Sequence, residues 1–438
     1  MVPENDSFTE TTTTSWGSRL GNSFKGILTG LVIIAAATCL LYWNEGRTVQ
    51  TGDAIAEAQL AAVAMPSADS VDPSFNGKLI HVTAPATTQD IVQDDLFGVK
   101  TNAIAVKREV EYYQWVESSQ QEKRKKMGGG EETITTYSYN KQWVPTPVDS
   151  SRFRQPANHT NTVRVSAKNA VFYAPRVSLG AYTLPEFLVR SIRNAQPLPT
   201  GLSSEDCQRL QQRFFPDTVQ ERIDMTPPQP GAFGDQQGAY NGMVNTLQRA
   251  ASALNAGAPA MVHANSNELY LGRSSVTPAV GDVRIRFTMI PQGGVVSILA
   301  KVNSDTFEHF MAKNGKKFSR LSMGTVSMDN MFSEARSDNN MMAWILRVLG
   351  IFMAIVGFKM VLAPLSVLAD VIPILGTIVG AGTGFVGTLL GVAWSFIVIA
   401  IAWIRFRPVF AFSLIGIAVL LLIIILVKGR LRKAPAAA

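Results

Sequence analysis

Long apolar runs at the two ends of the chain limit its fold more than any other feature. The first run, residues 24–43, carries a single charge, Lys25, at its edge. A helix needs about 20 apolar residues to cross the hydrocarbon layer of a membrane, so this run predicts a span. Three more runs, residues 342–363, 376–404 and 409–427, favour the same structure. The expected fold class is therefore a membrane α-helical protein with four spans and a large α+β, strand-rich soluble domain between spans one and two.

The predicted organisation divides the chain into eight parts. They are a cytoplasmic N-terminal tail (1–23), transmembrane helix 1 (24–43), a non-cytoplasmic soluble α+β domain (44–340), transmembrane helix 2 (342–363), an interfacial or re-entrant connector (364–375), transmembrane helix 3 (376–404), transmembrane helix 4 (409–427) and a basic cytoplasmic tail (428–438). The connector is expected to bend because Pro364 and Pro373 each remove a backbone donor. For the first run, an uncleaved signal anchor is favoured over a cleavable signal peptide, because a long polar stretch precedes it.

Basic residues beside the apolar runs predict the orientation. Cytoplasmic flanks are enriched in lysine and arginine, and six such residues flank the outer ends of spans one and four. These residues are Arg19, Lys25, Lys428, Arg430, Arg432 and Lys433. Both termini are therefore expected in the cytoplasm, although Arg405 and Arg407 would then lie on the other side. The net charge of +7 is interpreted as a topology signal rather than as a nucleic-acid surface.

The third span has glycines at intervals of four residues, which would line one helix face. They are Gly376, Gly380, Gly384, Gly387 and Gly391. Such a face lets another helix backbone approach closely, either within one chain or between copies, and contacts within the chain are the favoured reading. Arg347 and Lys359 in the second span have no carboxylate nearby in sequence. They are expected to extend towards the headgroups, with a substrate or ion pathway as the alternative.

The central region has the pattern of a mixed α+β domain. Strands or hairpins are predicted at residues 78–83, 103–117, 133–143, 162–173 and 283–302, the last as a hairpin around the turn 291–294. Helices are predicted near Thr183, with that residue as N-cap, and at residues 203–214 and 242–255. Residues 227–260 look like an insertion, and residues 121–130 like a solvated basic hairpin loop. The two cysteines, Cys39 and Cys207, are not expected to pair, because one lies in a predicted span and the other outside it.

No motif in the sequence points to catalysis, a metal or a cofactor. The four histidines, His81, His159, His263 and His309, are far apart and form no HxxxH or HExxH pattern. The adjacent carboxylates Asp94 and Asp95 precede a Phe-Gly turn and are interpreted as turn residues rather than an acid/base pair. We therefore expect no enzyme activity and no cofactor.

Several patches along nearly the whole chain resemble the TMEM43 (LUMA) family of membrane proteins. One follows span one at residues 43–47, and others lie at residues 95–99, 137–143, 149–161 and 281–285. The positions that carry the resemblance most clearly are Arg108, Tyr112, Gln114, Trp115, Glu117, Gly281, Asp282, Arg347, Asp370, Pro373, Arg407 and Pro408. The chain is identified as a member of this family, with features of a bacterial member.

The resemblance implies four spans, cytosolic termini and a large lumenal or periplasmic domain. For eukaryotic members it implies residence in the endoplasmic reticulum and inner nuclear membrane, with self-association and a scaffolding role. The expected function here is a non-enzymatic multi-pass scaffold in the bacterial inner membrane, with its domain in the periplasm. Its expected partners are membrane lipids, further copies of itself and other membrane or envelope proteins, with no nucleic acid. A transporter or channel is the first alternative, and a membrane-anchored enzyme acting on lipid or envelope polymer is the second.

Overall fold

A computed structural model describes residues 6–216, 261–409 and 411–412 of the chain. Within these ranges the helices are α1 (Trp16–Ala61), α2 (Glu186–Val189), α3 (Ser204–Phe214), α4 (Met328–Ala369) and α5 (Pro373–Phe406), with short 3-10 helices at Pro73–Phe75 and Ser150–Arg152. The strands are β1 (Ser7–Thr14), β2 (Val63–Ala64), β3 (Leu79–Thr87), β4 (Ile91–Asp94), β5 (Val99–Asn102), β6 (Ala105–Lys125), β7 (Glu131–Val144), β8 (Ala170–Tyr173), β9 (Ser178–Leu179), β10 (Tyr182–Thr183), β11 (Gln196–Pro197), β12 (Met261–Ala264), β13 (Glu268–Gly272), β14 (Val283–Ile290), β15 (Gly294–Asn303), β16 (Thr306–Glu308), β17 (Phe310–Met311), β18 (Lys317–Phe318) and β19 (Arg320–Met323).

Helices α1, α4 and α5 are long and apolar enough to cross a membrane, and they contain the first three predicted spans. The described residues thus hold three candidate spans instead of four, because all but the first few positions of the predicted span 409–427 lie outside them. Helices α1 and α4 run antiparallel in close contact. A Cβ on Gly30 would clash with the Gly357 carbonyl, and one on Gly350 would clash with Leu41. Small residues at these levels therefore let the two backbones approach.

Within the predicted interfacial or re-entrant connector, residues 364–375, only a short turn at residues 370–372 separates two helices. Helix α4 continues through Pro364 to Ala369, and α5 already begins at Pro373. Proline is tolerated inside a membrane helix where neighbouring helices compensate for the lost hydrogen bond, and Pro364 is buried in the bundle. Pro373 occupies the first turn of α5, where its missing N–H costs nothing.

The central domain consists of two main sheets that share one core. The first has the order β1-β7-β6-β14-β13-β12, with β8 and β11 pairing alongside. The second has the order β19-β15-β16-β10-β9-β3-β2, with β15 also pairing with β3. Val106 and Ile285 of the first sheet and Ile80 and Ile298 of the second belong to a single apolar cluster. The domain is therefore one folding unit of α+β class.

The predicted hairpin at residues 283–302 is wrong in its pairing. Strands β14 and β15 and the turn between them are present, but β14 pairs with β6 and β13, whereas β15 pairs with β3, β16 and β19. The burial of β15 explains the difference, because its residues from Val296 to Ala300 are buried on both faces. A strand buried on both faces belongs in the interior of the domain and not at an exposed hairpin.

The other local predictions fare unevenly. Strands β3, β6 and β7 overlap three predicted strands, whereas the predicted strand 162–173 is regular only in β8. Helix α3 begins with the predicted Ser203, which forms a capping box with Asp206. The predicted N-cap Thr183 is wrong, because it lies in β10 and Pro185 precedes α2. The predicted helix 242–255 and the rest of the insertion up to residue 260 lie outside the described residues.

Strands β6, β7 and β1 extend beyond the domain as a three-stranded ribbon. The β6 and β7 pairing continues to Lys125 and Glu131, so the predicted basic loop is reduced to residues 126–130. Strand β1 pairs with β7 from Ser7 to Thr14. The stretch 113–125 of β6 is about 40 Å long at ~3.3 Å per residue. The ribbon is therefore long enough to run the full height of a hydrocarbon layer, which is about 30 Å thick.

The tip of this ribbon contacts the end of the bundle that is remote from the domain core. There the backbone N–H of Gly128 donates to the Val371 carbonyl, and the Trp16 Nε1 donates to the Val367 carbonyl at 2.9 Å. At the other end, Ile55 of α1 and Phe332 of α4 pack in an apolar cluster with strands of the second sheet. The N-terminal strand β1 therefore pairs with the part of β7 that belongs to this ribbon.

Candidate functional site

A carboxylate inside the helix bundle joins all three candidate spans. Glu45 of α1 is fully buried and accepts two hydrogen bonds from Arg347 of α4, from Nε at 2.6 Å and from Nη2 at 2.8 Å. The Trp403 Nε1 of α5 donates to the same carboxylate at 2.9 Å. The buried carboxylate on α1 thus accepts three hydrogen bonds, two from α4 and one from α5. We call Glu45, Arg347 and Trp403 the interhelical cluster.

The position of Glu45 in the sequence explains where this cluster forms. It follows directly after the apolar run that ends at Trp43, so it lies where α1 leaves the apolar layer. An isolated carboxylate in such a place carries a large desolvation penalty, which a bidentate guanidinium offsets best. The side chain of Arg347 retains 13% exposure and its guanidinium also lies over the Trp344 ring. The pair therefore fixes the rotation and register of α1 against α4.

Two asparagines extend this polar contact along the α1 and α4 interface. The Asn44 Nδ2 donates to the Ala343 carbonyl at 3.0 Å, and the Asn339 Nδ2 donates to the Thr48 carbonyl at 2.9 Å. Both side-chain oxygens lack a hydrogen-bond partner among the described residues. The two amides therefore bridge the helices through their donors, while their oxygens are enclosed at the interface.

Arg347 was expected to extend alone towards the headgroups, and that expectation is wrong. Its partner, Glu45, lies 302 positions earlier in the chain, where sequence spacing gives no sign of contact. Lys359, the other candidate for a pathway, has an exposed side chain at the α4 and α5 contact, beside Gly387. The structure therefore does not bring Arg347 and Lys359 together in one cavity.

A second ionic cluster closes the far end of the bundle around Asp370. This residue follows α4, is 1% exposed, and accepts from Arg19 Nη2 and Lys125 Nζ, each at 2.6 Å. Arg19 belongs to α1 and Lys125 to the ribbon, so Asp370 ties together three separate parts of the chain. The Arg19 Nη1 also donates to the Gly129 carbonyl in the ribbon tip at 2.5 Å.

The glycines of α5 lie against α4 in four of five cases. A Cβ on Gly391 would lie 2.5 Å from the Ile355 Cα, and one on Gly387 would lie 2.9 Å from the Lys359 side chain. Gly376 and Gly380 contact Asp370 and Ser366 in the same way. Around Gly384 there is no described heavy atom within 4 Å. Contacts within the chain therefore use most of the glycine face, and Gly384 is the member that faces outward.

Several positions that carry the family resemblance form polar contacts inside the domain. The Arg108 Nη1 donates to both Asp94 oxygens at 2.7 and 2.8 Å, and its Nε donates to the Lys168 carbonyl. Asp94 also accepts from the backbone N–H groups of Leu96 and Phe97, as expected of a turn residue. Because Asp94 is fully buried under this arginine, it is not accessible to a substrate.

Tyr112 and Gln114 hold irregular chain segments against β6. The Tyr112 hydroxyl donates to the Ala167 carbonyl and accepts from the Ala167 N–H. The fully buried Gln114 accepts from the Val148 N–H at 2.6 Å and donates to the Thr162 carbonyl at 3.3 Å. These bonds satisfy backbone groups of residues that belong to no strand, which explains why residues 162–169 are ordered without being a strand.

Gly281 and Asp282 form a tight turn before β14. Gly281 has a φ of 97° and lies so close to Thr162 that a Cβ would approach its hydroxyl to 2.5 Å. Asp282 is fully buried and accepts from the Tyr270 hydroxyl at 2.6 Å and the Ala279 N–H at 2.8 Å. Burial, together with the hydrogen bond to Asp282, raises the pKa of Tyr270. Tyr270 therefore stays a hydrogen-bond donor at physiological pH.

Trp115 and Glu117 belong to an aromatic cluster at the base of the ribbon. Trp115 contacts the edge of the His159 ring, and Lys141 lies over its face. Glu117 accepts from the Arg154 N–H at 2.5 Å. Burial and the nearby Glu117 raise the pKa of Tyr139, which stacks on His159, to about 12. The rings of this cluster pack against one another, and the Tyr139 hydroxyl stays protonated at physiological pH.

The described residues contain no group of three His, Cys, Asp or Glu side chains arranged to hold a metal ion. The His81 Nε2 donates to the Val326 carbonyl at 2.9 Å, His159 contacts Asp6, and His309 contacts Ser319. The contacts that sequence reasoning missed are the interhelical bonds of Asn44, Glu45, Asn339 and Trp403 and the ion pair of Lys125 with Asp370. A carboxylate directly after an apolar run was the signal for Glu45.

Comparison with known proteins agrees with the resemblance drawn from the sequence. The family model described as "Transmembrane protein 43" matches residues 112–408. Transmembrane protein 43 of Rattus norvegicus is 25% identical over 93% of this chain and 90% of its own length. The Homo sapiens protein of the same name is 23% identical over 91% of this chain and 89% of its own length. A Drosophila melanogaster homolog is 26% identical over 41% of this chain and 48% of its own length.

No solved structure matches the chain. The matched range includes Arg347, Asp370 and Trp403, while Glu45 lies before it and within the longer alignments to the relatives. A family model that covers well over half of the chain, and relatives aligned over nearly all of it, lead to one conclusion. The chain belongs to the transmembrane protein 43 family.

Proposed function

We propose that this protein is a non-enzymatic multi-pass membrane scaffold that self-associates and organises membrane or envelope proteins and lipids through its non-cytoplasmic domain. The observation that carries the proposal is the interhelical cluster, in which Glu45 binds Arg347 and Trp403 from two other helices. Helices α1 and α4 continue from this cluster into the domain, where Ile55 and Phe332 share an apolar core. Bundle and domain are therefore joined by continuous helices and a shared apolar cluster, an arrangement that suits a scaffold better than a transport cycle.

The outer surface of the bundle supports its placement in lipid. Large apolar side chains there are more than half exposed, as in Leu28 at 70%, Ile374 at 74% and Phe352 at 62%. Exposed apolar faces of this extent mark membrane or partner contacts. Because the three helices are apolar on all sides, a crossing orientation is favoured over one flat on the surface.

The ribbon supports self-association. Among the described strands, β1 and β6 have no neighbour on their outer sides along the ribbon, and the ribbon's side chains are mainly Thr, Ser, Glu, Gln and Lys. If the bundle crosses a bilayer while the ribbon tip contacts Asp370, the ribbon passes beside the hydrocarbon layer. Open strand edges are not tolerated in contact with lipid, but they are tolerated where protein or a water-filled space surrounds them. Copies of the bundle arranged around their ribbons would supply that shielding.

The test is the mass and symmetry of the protein in nanodiscs, measured by single-particle imaging. We expect a closed oligomer in which the ribbons face inward and the apolar faces of α1 and α5 face the lipid. A monomer would contradict the self-association. Cysteine labelling in a variant lacking Cys39 and Cys207 sharpens the test. A water-soluble maleimide should modify Ser119→Cys on the ribbon, whereas Leu28→Cys on the lipid-facing surface should stay unmodified.

The same arrangement makes a channel the second candidate, because polar ribbons around an axis would line an aqueous path. The original basis for transport is weaker, since Arg347 is held by Glu45. Ion flux in liposomes that is lost in Lys359→Ala or in ribbon variants would favour the channel. A scaffold without flux should retain its oligomeric mass in the same variants.

A further inference from the structure

An open polar cleft lies where the three helices emerge from the bundle on the domain side. Its volume is about 450 Å³, and all three long helices contribute to its walls. The side chains that matter for its chemistry are Asp53 of α1, Arg336 and Asn339 of α4, and Arg407 after α5. The cleft is adjacent to the interhelical cluster but shares no residue with it.

The level of the cleft along the helices matches the headgroup layer of a bilayer. Trp43 and Trp344 are 57% and 62% exposed and lie where interfacial aromatics are expected. From Trp344 to Asn339, α4 rises about 7 Å at ~1.5 Å per residue. The polar zone on each side of the hydrocarbon is about 5–8 Å thick, so a lipid beside the bundle would hold its headgroup at this height.

Charge in the cleft is mixed, with a positive excess. Arg336 and Arg407 supply two guanidinium groups, and Asp53 supplies one carboxylate. Arg336 bonds Gln59, whereas the guanidinium of Arg407 enters no hydrogen bond or salt bridge among the described residues and interacts with Glu45 through charge alone. Guanidinium groups bind phosphate with paired, charge-assisted hydrogen bonds. A nearby carboxylate on the same wall favours a ligand that carries a cation beside its phosphate.

Asp53 distinguishes between zwitterionic headgroups. Its exposed carboxylate lines the cleft and can accept charge-assisted hydrogen bonds from a ligand ammonium. Asn339 lines the same wall, but its Oδ1 is enclosed by protein and is out of reach of a ligand. A choline headgroup has no N–H to donate to Asp53, whereas an ethanolamine headgroup has three.

We propose that this cleft binds the headgroup of a phosphoethanolamine lipid. The phosphate lies against Arg407 and Arg336, and the ammonium lies against the Asp53 carboxylate. Binding of this lipid goes beyond a scaffold role and depends only on the placement of the bundle in a membrane. It explains why the chain combines two arginines and a carboxylate at headgroup height.

Native mass spectrometry of the detergent-purified full chain tests the proposal with lipids of matched acyl chains. Phosphatidylethanolamine should bind about tenfold or more tightly than phosphatidylcholine, since one charge-assisted hydrogen bond is at stake. Arg407→Gln should weaken phosphatidylethanolamine binding by a similar factor. The matched control is Arg405→Gln, which removes a neighbouring arginine that does not line the cleft and should leave binding unchanged.

Asp53→Asn identifies which part of the headgroup is recognised. The side chain is exposed, so the variant should fold, and it should reduce the preference for phosphatidylethanolamine over phosphatidylglycerol. Equal affinity for the ethanolamine and choline lipids would overturn the proposal, as would equal losses in Arg405→Gln and Arg407→Gln. Binding of phosphatidylglycerol alone would overturn it too. The oligomeric mass is independent of these variants, so failure here leaves the scaffold proposal standing.

Discussion

Glu45 and Arg347 lie 302 positions apart in the chain and meet as a bidentate pair inside the helix bundle. The carboxylate is fully buried, and Trp403 supplies its third donor. The pair therefore determines which faces of α1 and α4 contact each other. It also gives the family resemblance at Arg347 a physical meaning, because that arginine neutralises a charge at the membrane boundary.

Removing one member of this pair should destabilise the bundle strongly. Glu45→Ala leaves Arg347 buried without its carboxylate, and we expect a loss of about 3–5 kcal/mol in the free energy of unfolding. Denaturant titration in detergent measures it. The double variant Glu45→Met with Arg347→Met should recover much of the loss, because it leaves no unpaired charge. Asp53→Asn on the exposed face is the control, and a loss as large there would contradict the assignment.

Replacing glycines of α5 should separate contacts within the chain from contacts between copies. Gly391→Val places a side chain against the Ile355 backbone, so it should lower thermal stability in detergent. Gly384→Val has no described atom within 4 Å of its Cβ and should leave the stability of a single copy unchanged. If Gly384 lies at an interface between copies of the chain, the same variant should reduce the oligomeric mass in nanodiscs. No change in mass would exclude an interface at Gly384.

Asp370 should control the position of the ribbon tip. Asp370→Asn removes the charge that holds Arg19 and Lys125, so amide exchange in residues 126–130 should accelerate about tenfold, equivalent to ~1.4 kcal/mol. Hydrogen exchange with mass spectrometry follows this loop. Glu132→Gln removes only an exposed partner of Lys126 and should change exchange little. Equal exchange rates in the wild type and in Asp370→Asn would show that the ion pairs of Asp370 do not hold the ribbon tip.

His309 should make the domain less stable in mild acid. Burial, and next the nearby Lys317, lower the pKa of His309 below its ordinary value of 6.5. The unfolded chain then binds a proton more readily than the folded one, so stability is fully present above pH 6.5 and falls as the pH drops through the folded pKa. Chemical unfolding between pH 5 and 7.5 measures the slope. His309→Gln should flatten it, whereas an unchanged slope would assign the effect to other groups.

The sequence determined the features that depend on neighbouring residues. Three apolar runs predicted the three long helices α1, α4 and α5, each of which contains one run. This prediction is local, because a span must satisfy its backbone hydrogen bonds within one continuous helix. The Ser203 capping box and the strands β3, β6 and β7 followed from local patterns in the same way.

Tertiary structure decided everything that depends on distant partners. Glu45 meets Arg347, Asp370 meets Lys125, and β15 leaves its neighbour β14 to lie between β3 and β19. Sequence spacing carries no information about these pairs, because each is selected by which surfaces become buried together. A buried charge or a strand buried on both faces must find its partner wherever the packed fold places one.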